Sequence, residues 1–467
     1  MVQRRSGSSQ PVDPASSQQH SADAKNDSLS SRKVMAAQAR LLRLSFLVRI
    51  ALASLLILTA HLQQAFDTSH ELLSYSLDPA TTHSLSAGPF KWALAFVRWD
   101  TIYFLAAASP STPVHRGGYA WEQTLAFQPG IIGLLRVCGY ATPQLDGAWS
   151  PTAAILVTAL LANLAAAISP VLLYRLSLKV TRNAEMAYTA AALSIFAPSA
   201  GTTLAAPTPE SFFSLTSLLG LLALESGSLS WVVVLGASFW FALATTFRAN
   251  GTLLLGYIAF KLIPELRAGR PSSIPKLIVA GLICLSPSVL FQIWAYSRFC
   301  PSPGRPWCDR LVPSVYTFVQ SHYWHVGPFR YWQLAQTPNF ALAAPVLLLI
   351  LYTVRIFYQQ ATWREVVASL VPTTTQVGTG RGLMWSSAPR ATPYILHALA
   401  LGVMLLIASH VQIALRLATP GGMPAVWWGA AHAVLSCPRW VRRLIVGYLA
   451  MQMCVGVVLY AGFYPPA

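Results

Sequence analysis

From Leu44 onward the sequence runs again and again through apolar stretches of membrane-spanning length, separated by short segments rich in charge, proline or glycine. About 20 apolar residues in a helix match the hydrocarbon thickness of a bilayer, and a helix satisfies its own backbone hydrogen bonds where water is absent. This pattern confines the chain to an all-α polytopic membrane fold. The runs are continuous rather than alternating, which argues against a transmembrane barrel. With 54% hydrophobic and only 10% charged residues in 467, a water-soluble globule is excluded as well.

Eleven spans are expected, at 44–66, 151–173, 186–206, 210–225, 231–247, 250–264, 277–298, 340–357, 391–415, 423–438 and 444–462, within a range of 8 to 12. Residues 1–43 are Ser-, Gln- and Ala-rich with few large apolar residues, and are expected to form a disordered cytosolic tail on a signal anchor. With the tail cytosolic, every later loop acquires a side. The cytosolic segments then hold 22 of the 32 Lys and Arg with 7 acids, and the opposite side holds 10 with 8. That is the asymmetry of the positive-inside rule. The net charge of +17 is thus a topology signal: the basic residues sit in short clusters between apolar runs, with no aromatic-interleaved patch for nucleic acid. No internal repeat or inverted pair of broken spans marks a secondary transporter.

Asp67, Glu71, Asp78, Asp100, Glu122, Asp146, Glu210 and Asp309 fall on the non-cytosolic side, most of them in the loop 67–150. Apolar stretches within that large first loop are expected as helices along the membrane surface. Cys300 and Cys308 share a later loop on the same side and are able to pair if that compartment is oxidising. No Cys or His spacing fits a metal site, and His322 with His325 alone is too little for one.

Four stretches combine rare polar groups with aromatics. In Arg98-Trp99-Asp100 a carboxylate sits between aromatics at a membrane edge, where desolvation raises its basicity and the adjacent arginine opposes the rise. It reads either as a general base or as an interfacial ion-pair anchor. In Tyr119 to Gln123, Glu122 and Gln123 have hydrogen bonds to offer a sugar, and Tyr119 and Trp121 have stacking faces; an aromatic-belt turn is the alternative. Arg248, beside Asn250, stands at the non-cytosolic end of a span against the positive-inside trend and needs an anionic partner, a phosphate or a loop carboxylate. The fourth stretch holds His322, Tyr323, Trp324, His325 and Asn339.

Together these motifs resemble the eukaryotic glycosylphosphatidylinositol (GPI) mannosyltransferases that add the second mannose. The carriers are Arg98-Trp99-Asp100, Gly118-Tyr119 with Glu122-Gln123, Arg248-Ala249-Asn250-Gly251, and Gln320-Ser321-His322-Tyr323-Trp324 with Pro338-Asn339-Phe340. Trp121 and Gln128 stand where the family pattern has other aromatics, and Ala249 where it has serine. The resemblance implies a class C multi-spanning glycosyltransferase domain over 44–467, with the proposed active site in the first luminal loop at 67–150 and an aromatic luminal loop at 299–339. It implies an endoplasmic-reticulum membrane enzyme, dolichyl-phosphate mannose as donor with no further cofactor, a GPI precursor as acceptor, and leaves open a small membrane partner subunit.

A β-linked donor and an α-1,6 product require inversion, hence one carboxylate to take the acceptor's proton. Asp100 is the expected base, with Glu122 sharing that role or orienting the acceptor. A cation should meet the leaving phosphate; Arg248 comes first, then Arg98 and His325. The competing readings are a lipid-linked sugar transferase with another acceptor, a lipid or solute transporter, and a structural subunit.

Overall fold

The computed structural model describes residues 14–66, 71–73, 77–88, 90–112, 116–141, 148–301, 304–359, 363–370 and 388–464. Among them the chain is helical and without strands. The helices are α1 (Pro14–Leu62), α2 (Pro79–Ala87), α3 (Asp100–Ala108), α4 (Pro129–Gly139), α5 (Pro151–Thr181), α6 (Ala184–Ser194), α7 (Pro209–Leu224), α8 (Trp231–Phe247) and α9 (Leu255–Arg267). They continue with α10 (Ser273–Phe299), α11 (Val315–His322), α12 (Thr337–Tyr358), α13 (Trp363–Leu370), α14 (Ala388–Ala408), α15 (Ala414–Leu417), α16 (Pro424–Ser436) and α17 (Arg439–Ala461).

The all-helical polytopic architecture is the one the apolar runs dictate; the difference lies in span length. Among the described residues six helical stretches are long and apolar enough to cross a bilayer: Ser31–Leu62, Pro151–Thr181, Ser273–Phe299, Leu334–Tyr358, Arg390–Ala408 and Arg439–Ala461. Helices α4, α7 and α8 are apolar but shorter. The expected span 186–206 is helical only through Ser194, with Pro198 and Gly201 beyond it. The expected span 391–415 stops at Ala408, and 423–438 is the 13-residue α16, opened by Pro424 and followed by Pro438. The expected span 250–264 is split between a 3-10 turn, Ala249–Leu254, and α9.

These short helices create the place where a site can sit. At about 1.5 Å per residue α7 reaches only about 24 Å and α16 about 20 Å, against about 46 Å for α5. Their connecting segments therefore lie inside the protein, and residues 197–214 and 417–431 are buried throughout. Irregular backbone at such depth survives only if its polar groups are met internally. Arg49 of α1 donates to Ala200 O at 2.7 Å and Ile195 O at 3.1 Å, and Asn163 of α5 donates to Ala205 O at 2.9 Å. The second segment meets the first elements at Gly421, whose N–H donates to Ser214 Oγ at 2.9 Å. A Cβ at Gly421 would stand 2.0 Å from Ser214 O, so only glycine fits.

The first loop is folded into the body. Ile102, Phe104 and Leu105 of α3 and Ile131 and Leu135 of α4 are buried in one cluster with Leu52 and Leu56 of α1 and Ile155 of α5. Asp100, the first residue of α3, is thereby brought to the end of the short helices.

Candidate active site

Asp100 heads a chain of alternating charges. Arg416 Nη1 donates to Asp100 Oδ2 at 2.7 Å, while its Nε and Nη2 approach Glu210 Oε1 at 2.8 and 2.7 Å. Arg248 Nη1 donates to the same Glu210 oxygen, and Arg248 Nε donates to Asn250 Oδ1 at 3.3 Å. Each group stands where its helix favours its charge: Asp100 and Glu210 in the first turns of α3 and α7, Arg248 just past the end of α8. Arg416 comes from the single turn of α15 that leads into the second buried segment.

Burial is deepest in the interior of this chain and least at its Asp100 end. The Glu210 side chain is 0% exposed, Arg248 15%, Arg416 20% and Asp100 35%. A carboxylate buried as deeply as Glu210 persists only when paired, and both arginines supply that pairing. Asp100 is the end that opens outward. Its neighbour Arg98 turns away: it is buried and donates to Ala461 O at 3.0 Å, Val97 O at 2.9 Å and Leu94 O. Burial lowers the Arg98 guanidinium to about 10, with Tyr460 opposing. The adjacent charges of the sequence are therefore not an ion pair, and Asp100 pairs instead with a residue 316 positions away.

Glu122 lies in a second, separate assembly. Arg305 Nη1 at 2.5 Å and Trp307 Nε1 at 2.8 Å both donate to its Oε1, and Tyr323 OH donates to Oε2 at 3.0 Å. Burial alone would raise this carboxyl, but the donors Trp307, Arg305 and Tyr323 hold it below the usual carboxylate range. Cys300 and Cys308 are joined in a disulfide that brackets Arg305 and Trp307. Gln123, half-buried, follows Glu122 in the same 3-10 turn.

Aromatic rings bridge the two assemblies. Phe127 lies 4.9 Å from Phe104 of α3 and 5.4 Å from Trp324. Tyr119 donates to Phe127 O at 3.2 Å with its ring 5.2 Å from Phe291 and 5.5 Å from Trp294; burial raises its hydroxyl. Trp324 O accepts from His410 Nε2 at 2.6 Å, and the His410 ring stacks on Tyr331 at 4.7 Å. Asn339 Nδ2 donates to Tyr331 OH and to Gln336 Oε1, so its amide is taken up in holding that loop. His322 stacks on Phe318, and both His322 and His325 are exposed.

Of the residues singled out in the sequence, Asp100, Arg248 and Asn250 thus share one network, and Glu122 and Tyr323 another. Arg416, Glu210, Arg305 and Trp307 complete the two, and local motifs did not nominate them. A signal existed for the arginines: both belong to the ten basic residues on the side where basic residues are scarce.

A family model described as mannosyltransferase (PIG-V) matches residues 38–467. The chain belongs to this mannosyltransferase family. The GPI mannosyltransferase 2 of Aspergillus oryzae is 31% identical over 438 residues, covering 86% of this chain and 90% of that protein. The mouse GPI alpha-1,6-mannosyltransferase 2 is 30% identical over 374 residues, 72% of each chain. Among solved structures, the archaeal oligosaccharyltransferase AglB from Archaeoglobus fulgidus aligns with a TM-score of 0.46 at 12% identity over 92% of this chain, which spans 56% of that protein's length. The mannosyltransferase is a multi-pass membrane glycosyltransferase, and its family works with a lipid-linked sugar donor and a glycolipid acceptor.

Proposed function

We propose that this mannosyltransferase moves mannose from dolichyl-phosphate mannose to the first mannose of the GPI precursor in α-1,6 linkage, with Asp100 as general base. The relatives' names support the α-1,6 GPI reading and the motif resemblance the donor, and one observation carries the catalytic reading: Asp100 is the most exposed end of a charge network centred on the buried Glu210, held at 2.7 Å by Arg416. The acceptor hydroxyl attacks the donor's anomeric carbon from the face opposite the phosphate. The new carbon–oxygen bond forms as the bond to the phosphate oxygen breaks, the β configuration inverts to α, and the hydroxyl proton passes to Asp100. The lipid phosphate leaves with the electron pair.

Arg248 and Arg416 are the cations available to that phosphate, since Arg98 is spent on backbone carbonyls. Asn250 Nδ2 is buried and carries no hydrogen bond among the described residues, which suits it to a sugar hydroxyl. Glu122 has donors on both oxygens and anchors the first loop to the loop that carries Arg305, Trp307 and Tyr323. The site faces the endoplasmic-reticulum lumen and the N-terminal segment the cytosol; the charge asymmetry of the loops and a disulfide on the same side as Asp100 support this orientation.

Complementation of cells lacking the second GPI mannosyltransferase tests the reading. At matched protein level the wild type extends the one-mannose precursor and Asp100→Ala accumulates it, as read by mass; full rescue by Asp100→Ala would move the base elsewhere.

A further inference from the structure

The turn that presents Asp100 is held from far away in the chain. Trp99, the residue before α3, sits at φ 52° and ψ −122°, a conformation that residues with a Cβ rarely adopt. Left alone, this turn would relax and carry Asp100 with it. Opposing that, Trp99 Nε1 donates to Tyr464 O at 3.1 Å, across 365 positions. Arg98 Nε donates to Ala461 O at 3.0 Å, and the Arg98 guanidinium lies 4.4 Å over the Phe463 ring.

The segment that does the holding is itself fixed. Tyr464 N donates to Leu459 O at 2.9 Å, and Phe66 N donates to Gly462 O at 2.9 Å. The Phe66 and Tyr464 rings lie 4.4 Å apart, which ties the segment to the end of α1. Phe463 also has a positive φ, 59°, and is 5% exposed, so its ring is committed to the space beneath Arg98.

We propose that residues 461–464, the last residue of α17 and the three after it, form a clasp that keeps Trp99 in its uncommon conformation and so sets the Asp100 carboxylate against Arg416. Phe463 is then a positioning residue for mannosyl transfer, acting through Arg98 and Trp99. The proposal rests on Asp100 being the base. A base must stand within hydrogen-bond reach of the proton it takes, and a misplacement of about 1 Å costs on the order of 100-fold.

The test uses the full chain purified in detergent, with dolichyl-phosphate mannose and the one-mannose GPI precursor. Phe463→Ala should lower kcat on the order of 100-fold, with KM within about twofold and an unfolding temperature close to wild type. Phe463→Tyr keeps a ring under the guanidinium and should return near-wild-type kcat. Trp99→Gly added to Phe463→Ala should raise kcat above that of Phe463→Ala alone, because glycine adopts the turn without help. A wild-type kcat for Phe463→Ala, or a loss confined to KM, overturns the clasp while Asp100→Asn stays inactive. An active Asp100→Asn would instead overturn the base assignment. Should Phe463→Ala fail to fold, Trp99→Phe removes only the indole donor: a lower kcat at constant KM supports the clasp, and an unchanged kcat overturns it.

Discussion

Asp100 and Glu122 are both acids set among aromatics in the first loop, and by local sequence they are equivalents. Their surroundings make them opposites. Both Glu122 oxygens hold donors, from Arg305, Trp307 and Tyr323, and the group is enclosed behind a disulfide-bracketed loop. Asp100 receives Arg416 at one oxygen and is 35% exposed. A carboxylate with donors on both oxygens is held as an anchor, whereas one with a donor on a single oxygen is oriented and keeps its other oxygen open to an incoming hydroxyl. Under the proposed function, what separates the anchor from the base is whether long-range donors occupy both oxygens or one.

Neutralising each acid breaks the comparison most directly. Asp100→Asn keeps shape and removes the base, so kcat should fall by about 10²–10⁴, whereas Glu122→Gln should keep most of its turnover per folded molecule. Equal losses in a steady-state mannosyl-transfer assay would erase the distinction. The next largest effect is on stability. Glu210→Gln leaves Arg248 and Arg416 without their shared buried anion, and the purified protein should lose about 3–5 kcal/mol, read as a large drop in unfolding temperature. Glu122→Gln should cost less, about 2 kcal/mol, because it weakens charge-assisted hydrogen bonds without stranding a fully buried charge.

The smallest effect is a pH signature. The Glu122 carboxyl is held below its ordinary range, so the stability it contributes is fully present above the unfolded value of about 4.3 and is lost as pH falls through the lower folded value. The gap in unfolding temperature between wild type and Glu122→Gln should therefore be widest near neutrality and narrow only in strong acid. A gap that stays constant down to the acid limit would mean the donors do not act on the charge.

The sequence made the membrane fold legible because about 20 apolar residues in a row admit few other structures. It misjudged 186–206 and 391–415, where the hydropathy stays high while Pro198, Gly201 and the turn after Ala408 end the helix. Burial inside protein and burial in lipid look alike to hydropathy. The two charge networks were legible in part where a rare polar group stood out from its neighbours, as at Asp100, Arg248 and Glu122. It was not legible where meaning came from pairing: Arg416 meets Asp100 across 316 positions and Glu210 across 206, and no local pattern encodes either distance. The adjacency of Arg98 and Asp100 was misleading for the same reason, since chain neighbours at a helix start point different ways.

The charges of Asp100, Glu210, Arg248 and Arg416 cancel, and this bears on how the enzyme lets go of its product. Under the proposed mechanism a donor phosphate reaching Arg248 competes with Glu210 for the same guanidinium, so binding sets one anion against another. Transfer converts a phosphodiester with one negative charge into a monoester that carries about two near neutral pH. Bare arginines would hold that product more tightly than the donor and stall. With Glu210 at hand to hold both guanidiniums, departure of the lipid phosphate is matched by an ion pair re-forming behind it, and the site is neutral again once Asp100 has given up the proton it took.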